Sequence, residues 1–250
     1  MEHQEGQQSI TSVVRAFRIL ETLARLGGEA SLSRVATELD MPVPTAFRVM
    51  RTLVAAGYAR QLPSKSYGLG PGLIRLGEDA SQLLGSWARP ALEALEQRLC
   101  ETSNLAMLDG DMIVYVAQVP SRHQMRIFTE VGRRVYPHST GVGKAILAAL
   151  PDDRVLDIIR RTGLPAYTPT TVTTESALFE ELALIRSRGY AVDEGEQEPG
   201  VRCFARAVER VRTPTAISVS GPAARVLPSD SARFVAALES AAAQLREVLT

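Results

Sequence analysis

The sequence predicts an α+β chain with two domains joined by a helix. Apolar residues at helical spacing and a short basic hairpin fill the first part of the chain, and a helix-forming stretch follows. Beyond Thr102 the pattern changes to alternation and short apolar runs, which are typical of strands. We expect a disordered N-terminus at residues 1–10, a first domain at 11–71, a linker helix at 72–86 and a second domain at 87–250.

Composition indicates an ordinary globular protein. The 250 residues are 45% hydrophobic and 22% charged, and 28 basic side chains balance 28 acidic ones. The N-terminus lacks the apolar stretch of a secretory signal, and no later run is long enough to span a bilayer. The two cysteines, Cys100 and Cys203, are far apart, and nothing indicates an oxidising compartment. We expect a cytoplasmic protein that does not contact membranes.

Three helices and a hairpin are predicted in the first domain. The first helix ends at Gly27, Ser31 caps a short second helix, and Pro42 stops it because proline cannot donate the helical hydrogen bond. The third helix covers residues 44–56, and strands at 58–62 and 66–69 form a hairpin. The apolar residues expected to face the core of the first and third helices are Val13, Val14, Phe17, Leu20, Leu23, Phe47, Met50, Leu53 and Val54.

This order of elements is that of a winged helix-turn-helix domain, whose second paired helix enters the major groove of DNA. Residues 41–77 contain no acidic side chain but five basic ones, namely Arg48, Arg51, Arg60, Lys65 and Arg75. Because the whole chain is charge-balanced, this is a local cationic surface, which a phosphate backbone selects. The pattern predicts double-stranded DNA as a partner, and the alternative is a small helical domain with a mixed surface.

The second domain is predicted to be a sheet with helices. Strands at 104–108, 112–119 and 124–129 follow one another, and Asp109, Gly110 and Asp111 form the first turn. The later helices are predicted at residues 142–150, 152–161, 175–188 and 229–249, and the later strands at 190–193, 203–208 and 215–220.

The sequence Gly141-Val142-Gly143-Lys144 is similar to a phosphate-binding loop. His138 stands where the first glycine belongs, and Ala145 follows the lysine instead of a magnesium-binding hydroxyl, so we do not expect nucleotide binding. The alternative is a helix start at which glycines let backbone amides approach a small anion, and a carboxylate fits as well as a phosphate.

No other residues form a recognisable catalytic or metal-binding pattern. The histidines and cysteines lack metal-ligand spacing, so we expect no metal, no cofactor and no catalytic residue. A Cys203 nucleophile with His138 as its base stays an open alternative, although a lone cysteine in an apolar strand is more often simply buried. Asp193 ends a strand and is able to point inward, whereas the glutamates after it are interpreted as a solvated loop. Ser218 and Ser220 share one strand face.

Together these segments resemble the isocitrate lyase regulator (IclR) family of bacterial transcription factors. The matching residues are 13–69, 137–145, 189–193, 200–203 and 216–222. The resemblance implies a DNA-binding winged helix, a linker helix and a GAF-like domain with an antiparallel sheet that binds a small metabolite. It also implies a homodimer or a dimer of dimers on palindromic operator DNA.

The resemblance assigns candidate roles to individual residues. Pro44 stands where the family often has serine, but Thr45 and Arg48 match its DNA-facing positions. Arg51 fits by the geometry of the helix, and Lys65 lies on the predicted hairpin. The candidate DNA contacts are thus Ser31, Thr45, Arg48, Arg51 and Lys65. The candidate effector contacts are Gly141, Val142, Asp193, Cys203, Ser218 and Ser220, with Ile127 and Val135 as walls and Gln124 as an added polar contact.

The sequence thus predicts a DNA-binding transcriptional regulator, a repressor in preference to an activator, that responds to an aliphatic or aromatic carboxylate and controls a catabolic operon. One alternative is an enzyme that uses Cys203 or Asp193 and is tethered by its winged helix. Another is a DNA-binding protein whose second domain serves assembly alone.

Overall fold

A computed structural model describes residues 10–127 and 129–249. The predicted disordered N-terminus therefore lies outside the described residues, except for Ile10, which precedes the first helix. The chain divides into two compact units between Ala80 and Ser81, within the helix that the sequence predicts as a linker. Each unit has its own core.

The first unit contains three helices and a small antiparallel sheet. Its helices are α1 (Thr11–Arg25), α2 (Leu32–Glu38) and α3 (Val43–Ala55), and its strands are β1 (Glu29–Ala30), β2 (Ala59–Gln61) and β3 (Tyr67–Leu69). The strand order is β1-β3-β2. The predicted winged helix-turn-helix is confirmed. Strand β1 was not predicted, because two residues are too few to show an alternating pattern. The linker helix α4 (Gly72–Gly85) follows.

The predicted apolar stripe of the first unit is only partly buried. Leu20 and Leu23 of α1 lie in the core with Met50 of α3. Phe17 is 62% exposed and Phe47 is 48% exposed, so the prediction that they are core residues is wrong. Val13 and Val14 are exposed as well. Helical periodicity identified the stripe, but the neighbouring elements of this unit cover only one part of it.

The second unit is a six-stranded antiparallel sheet with helices on both faces. Its strands are β4 (Thr102–Asp109), β5 (Met112–Val119), β6 (Arg134–Val135), β7 (Ala191–Glu194), β8 (Val201–Val208) and β9 (Thr215–Pro222). Its helices are α5 (Arg89–Leu99), α6 (Gly141–Ala148), α7 (Asp152–Thr162), α8 (Glu175–Arg188) and α9 (Ser231–Leu249). The strand order is β6-β5-β4-β9-β8-β7.

Alternation along β8 separates the two faces of the sheet. Phe204 packs in the core formed with α5 and α9, whereas Cys203 and Ala205 pack in the core formed with α6, α7 and α8. The predicted pocket residues of the sheet therefore belong to the α6 face. In the described part of the chain, no helix is both long and apolar enough to cross a membrane.

The predicted strand at 124–129 is wrong. Residues 120–127 form a loop, and β6 occupies the sheet edge beside β5. Side-chain hydrogen bonds fix this loop, instead of the backbone hydrogen bonds that a strand would form. The hydroxyl of Thr102 donates to the carbonyl of Ile127 at 3.0 Å and accepts from the amide of Ser121 at 3.1 Å.

Candidate functional site

The exposed face of α3 carries the predicted DNA-reading residues. Arg48 and Arg51 are exposed, and Thr45 is half-buried next to the core residue Ala46. Within the described residues neither arginine forms an ion pair. Both guanidinium groups are therefore exposed to phosphates and to base edges.

The hairpin between β2 and β3 presents Lys65 at its tip. Lys65 has a left-handed backbone with φ of 64°, and its amide donates to the carbonyl of Leu62 at 2.9 Å. Ser64 and Ser66 donate to the carboxylate of Glu29, which anchors the tip to β1. Lys65 itself is exposed.

Ser31 has a structural role. Its hydroxyl accepts from the amide of Arg34 at 3.3 Å and caps α2. The side chain is exposed, so a phosphate contact from the same oxygen is compatible with the cap.

A cavity opens on the α6 face of the second unit, with a volume of about 50 Å³. Six of the predicted effector residues line it, namely Ile127, Val135, Gly141, Asp193, Cys203 and Ser220. The structure thus brings together residues that are far apart in the sequence. The cavity combines buried polar groups with apolar walls, the composition expected of a small-molecule site.

Three predicted residues do not line the cavity. Val142 is fully buried in the core beneath α6, and Gln124 lies on the exposed loop that replaces the predicted strand. The hydroxyl of Ser218 is buried and accepts from the side-chain amide of Asn104 at 3.4 Å. Ser218 shares a strand face with Ser220, as predicted, but it does not line the cavity.

Six further residues line the cavity without having been predicted. They are Tyr115, Thr129, Arg133, Gln197, Glu198 and Val201. The alternation of β5 places Tyr115 on the same face as Ile113 in the α6 core, so strand period was an available signal for it. Val201 begins β8 two residues before Cys203, so the same period applies to it. Thr129, Arg133, Gln197 and Glu198 lie outside the strands, where sequence carries no period.

The glycines of the phosphate-loop-like motif allow close packing. A β-carbon on Gly141 would lie 3.0 Å from the sulfur of Cys203, and one on Gly143 would overlap the carbonyl of Pro137. The amide of Gly143 donates to the hydroxyl of Thr140 at 3.1 Å. The amides of Gly141 and Val142 are the ones that α-helix geometry leaves without an intrahelical acceptor.

Asp193 is held in the cavity wall by the turn that follows β7. Its Oδ1 accepts from the amide of Glu196 at 2.7 Å. Burial raises the pKa of this carboxyl to about 7, against the opposing effect of that hydrogen bond. Asp193 therefore exchanges its proton near neutral pH and is able to donate or accept a hydrogen bond.

The cysteine of the cavity is a protonated thiol. Burial, followed by the charge of Asp193, raises the pKa of Cys203 to about 12. His138 places its Nε2 at 3.0 Å from the carbonyl of Pro165, and burial lowers the pKa of its ring. No hydrogen bond joins His138 to Cys203 among the described residues, which disfavours a cysteine nucleophile with this base.

Lys144 and Glu196 form a buried ion pair behind the cavity. The ammonium of Lys144 donates to Glu196 Oε1 and lies 3.7 Å from Glu181 of α8. The prediction that Glu196 belongs to a solvated loop is therefore wrong. The hydroxyls of Thr168 and Thr171 add hydrogen bonds to backbone carbonyls of the same turn.

A row of polar side chains continues from the cavity across the sheet. Asn104 donates to the hydroxyl of Ser220 at 3.5 Å and accepts from the side-chain amide of Gln118 at 3.1 Å. Ser220 is the hydroxyl of this row that lines the cavity. No group of three or more histidine, cysteine or acidic side chains in the described ranges is arranged to hold a metal ion.

Comparison with protein families identifies both units. The model of the IclR helix-turn-helix domain matches residues 12–63, and that of the bacterial transcriptional regulator IclR C-terminal domain matches residues 81–247.

Individual relatives agree with both matches. The chain is 35% identical to the HTH-type transcriptional regulator BhcR of Paracoccus denitrificans over 89% of its length and 81% of that protein. It is 32% identical to the transcriptional repressor IclR of Escherichia coli over 94% of its length and 89% of that protein.

A solved structure extends the similarity to the fold. The IclR transcriptional regulator from Alicyclobacillus acidocaldarius superposes with a TM-score of 0.84 at 29% identity, over 96% of this chain and 98% of that one. The winged helix, the cavity and these matches lead to one conclusion: the chain belongs to the IclR family of bacterial transcriptional regulators.

Proposed function

We propose that this regulator acts in the cytoplasm as a homodimeric repressor that binds a palindromic operator. Its affinity for the operator changes when a small organic acid binds in the cavity of the second unit. The observation that carries the proposal is the pairing, in one IclR-family chain, of two features. One is a cationic α3 whose arginines have no ion-pair partner among the described residues, and the other is a cavity lined by Gly141, Asp193 and Ser220. We propose repression, and not activation, because the E. coli relative is named a transcriptional repressor.

DNA recognition is divided between α3 and the hairpin. Arg48 and Arg51 stand on the exposed side of α3, where a helix in the major groove contacts base edges. Lys65, at the hairpin tip, is a compact cation suited to the phosphate backbone. Base contacts supply specificity, whereas the lysine supplies affinity that depends on salt.

A second copy of the chain is the partner that the first unit fits. An apolar groove of about 410 Å³ lies on this unit. Its apolar lining includes Val13, Phe17, Leu20, Leu53, Leu73 and Leu76. An exposed apolar surface of this kind marks a protein interface, and a two-fold dimer matches the symmetry of a palindrome.

The effector is expected to be a carboxylic acid. Hydroxyl and amide donors lie in the cavity at Ser220 and at the start of α6, and apolar walls limit the size of the remainder. Coupling requires the acid to bind the DNA-competent and the DNA-incompetent states unequally, and it is typically worth about 1 to 3 kcal/mol.

DNA-binding measurements test the proposed roles of α3 and the hairpin. Fluorescence anisotropy with fragments from the promoter regions of this gene and its neighbours first identifies the operator. We expect Arg48→Ala to weaken operator binding and relax base choice, and Lys65→Ala to weaken binding to all sequences and reduce the salt slope by about 1. Arg75→Ala, on α4 and 3.9 Å from Asp79, is the matched control. Parent-like binding by both test variants would refute the assignment.

The effector role is tested by thermal melting of the full chain with a panel of carboxylic acids. A ligand that binds only the folded state raises the midpoint. A shift, together with a change in operator affinity, supports regulation. No shift with any acid would favour a second unit that serves assembly alone, and turnover of a panel member would favour the tethered enzyme.

A further inference from the structure

Arg133 occupies a fixed place at the wall of the cavity. Its carbonyl accepts from the amide of Tyr115 on β5 at 3.2 Å, and its own amide donates to the carbonyl of Glu130 at 3.1 Å. The amide of Gly132, whose φ is 88°, closes the turn on the carbonyl of Tyr115 at 2.7 Å. These hydrogen bonds fix the backbone of Arg133 beside β5, whose Tyr115 lines the cavity.

The side chain of Arg133 lines the cavity and forms no ion pair with any residue that the structure describes. The next residue, Arg134, behaves differently. Its guanidinium pairs with the carboxylate of Asp109 and donates to the carbonyl of the same residue at 3.0 Å. Since successive side chains of an extended chain point to opposite sides, one arginine serves the sheet edge and the other faces the cavity.

The cavity wall therefore contains a cation as well as a buried carboxyl. Asp193 and Ser220 provide an acceptor and a donor, and Ile127, Val135 and Val201 are apolar lining residues. A ligand carboxylate placed against Asp193 would bring two carboxyl groups together in a buried site, which favours ionisation of only one of them. A carboxylate placed against Arg133 gains a charge-assisted hydrogen bond instead.

We propose that Arg133 binds the carboxylate of the effector, while Asp193 and Ser220 bind a hydroxyl or carbonyl oxygen at its other end. The ligand class is then a small aliphatic hydroxy or oxo acid, since a cavity of about 50 Å³ holds few non-hydrogen atoms. The inference rests on the proposed effector role of this cavity and names the ligand chemistry. The other acid of the wall, Glu198, is exposed, so water screens its charge.

The test uses the full chain and defined probes. Calorimetric titration and thermal melting compare glycolate, lactate, glyoxylate and pyruvate with propionate, which lacks the second oxygen, and lactamide, which lacks the carboxylate. The proteins are the parent, Arg133→Gln, Arg133→Lys and the matched control Arg134→Gln. Because Arg133 is exposed and has no ion-pair partner within residues 10–127 and 129–249, we expect all variants to fold like the parent, which melting without ligand checks.

We expect the parent to bind at least one hydroxy or oxo acid more tightly than propionate and lactamide. Arg133→Gln weakens binding of the acid about 10- to 100-fold, the range for loss of a hydrogen bond to a charged group. It leaves the affinity for lactamide unchanged. Arg133→Lys restores part of the loss, and Arg134→Gln binds like the parent.

Three results would overturn the inference in distinguishable ways. Equal binding of an acid by the parent and by Arg133→Gln would remove Arg133 from the site and leave the proposed effector role standing. Binding of other members of the wider carboxylic-acid panel, but of none of the four hydroxy and oxo acids, would refute the ligand class alone. Failure of the whole panel to stabilise the parent would refute the effector role itself, and the assignment of Arg133 would fall with it.

Discussion

Lys144 on α6 donates its ammonium group to the carboxylate of Glu196, and both side chains are buried. Glu196 belongs to the turn whose amide holds Asp193 in the cavity wall. Glu181 of α8 approaches the same ammonium and pairs with Arg188 at 2.8 Å. The ion pair thus connects α6, α8 and the turn after β7, three elements that surround or support the cavity.

Replacing Lys144 is expected to destabilise the second unit strongly. Lys144→Met leaves Glu196 buried without its cation, and breaking a buried pair in this way costs about 3 to 5 kcal/mol. Urea unfolding followed by circular dichroism measures the change. Arg89→Ala, which removes the exposed pair with Glu93, is the control and is expected to cost less than about 1 kcal/mol. Equal losses in both variants would contradict a special role for the buried pair.

Gly141→Ala is expected to disturb the contact between α6 and β8. The added β-carbon would lie 3.0 Å from the sulfur of Cys203 and 3.3 Å from the β-carbon of Ala205, so α6 or β8 must give by a few tenths of an ångström. Overpacking of this kind costs about 1 to 3 kcal/mol. Gly77→Ala in the exposed part of α4 meets no atom within 4 Å and is expected to gain about 0.5 to 1 kcal/mol. Melting temperatures of the two variants should move in opposite directions.

Asp193→Asn is expected to stabilise the unliganded protein at alkaline pH. Folding raises the pKa of Asp193 from 3.8 to about 7, so between these values the folded state holds a proton that the unfolded state has lost. The free energy of unfolding of the parent therefore falls as pH rises through this window, and asparagine removes that dependence. The advantage of the variant should grow by about 1.4 kcal/mol per pH unit between pH 5 and 6.5 and level off above pH 8.

Urea unfolding at pH 5, 6.5 and 8 measures this difference between Asp193→Asn and the parent. The asparagine oxygen still accepts from the amide of Glu196, so the turn is kept. An advantage that is constant over all three pH values would show that Asp193 does not titrate in this range.

Phe17→Ser is expected to shift the protein toward monomer. Phe17 is 62% exposed and lines the apolar groove of the first unit, where a second copy is proposed to cover it. Loss of a large apolar contact at the centre of an interface typically costs 2 kcal/mol or more. Sedimentation velocity over a concentration series measures the change, with Leu227→Ser in the second unit as control. A parent-like series for Phe17→Ser would exclude this groove as the interface.

Much of the fold was predictable because the signals are local. The cap at Ser31, the stop at Pro42 and the period of α3 act through neighbours within one or two turns. The prediction of residues 175–188 as a helix is confirmed with the same bounds. The strand predicted at 124–129 was wrong because the competing hydrogen bonds come from Thr102, which lies on another strand.

The sequence by itself determined the winged helix, the cationic character of α3 and the polar residues that meet in the cavity, since composition, period and motif order express them directly. The tertiary structure alone decided that Arg133 joins that cavity, that Phe17 is exposed and that Lys144 is paired. Such outcomes depend on partners far along the chain, as in the 52-residue separation of Lys144 and Glu196. Burial and pairing at that distance follow from how the elements pack.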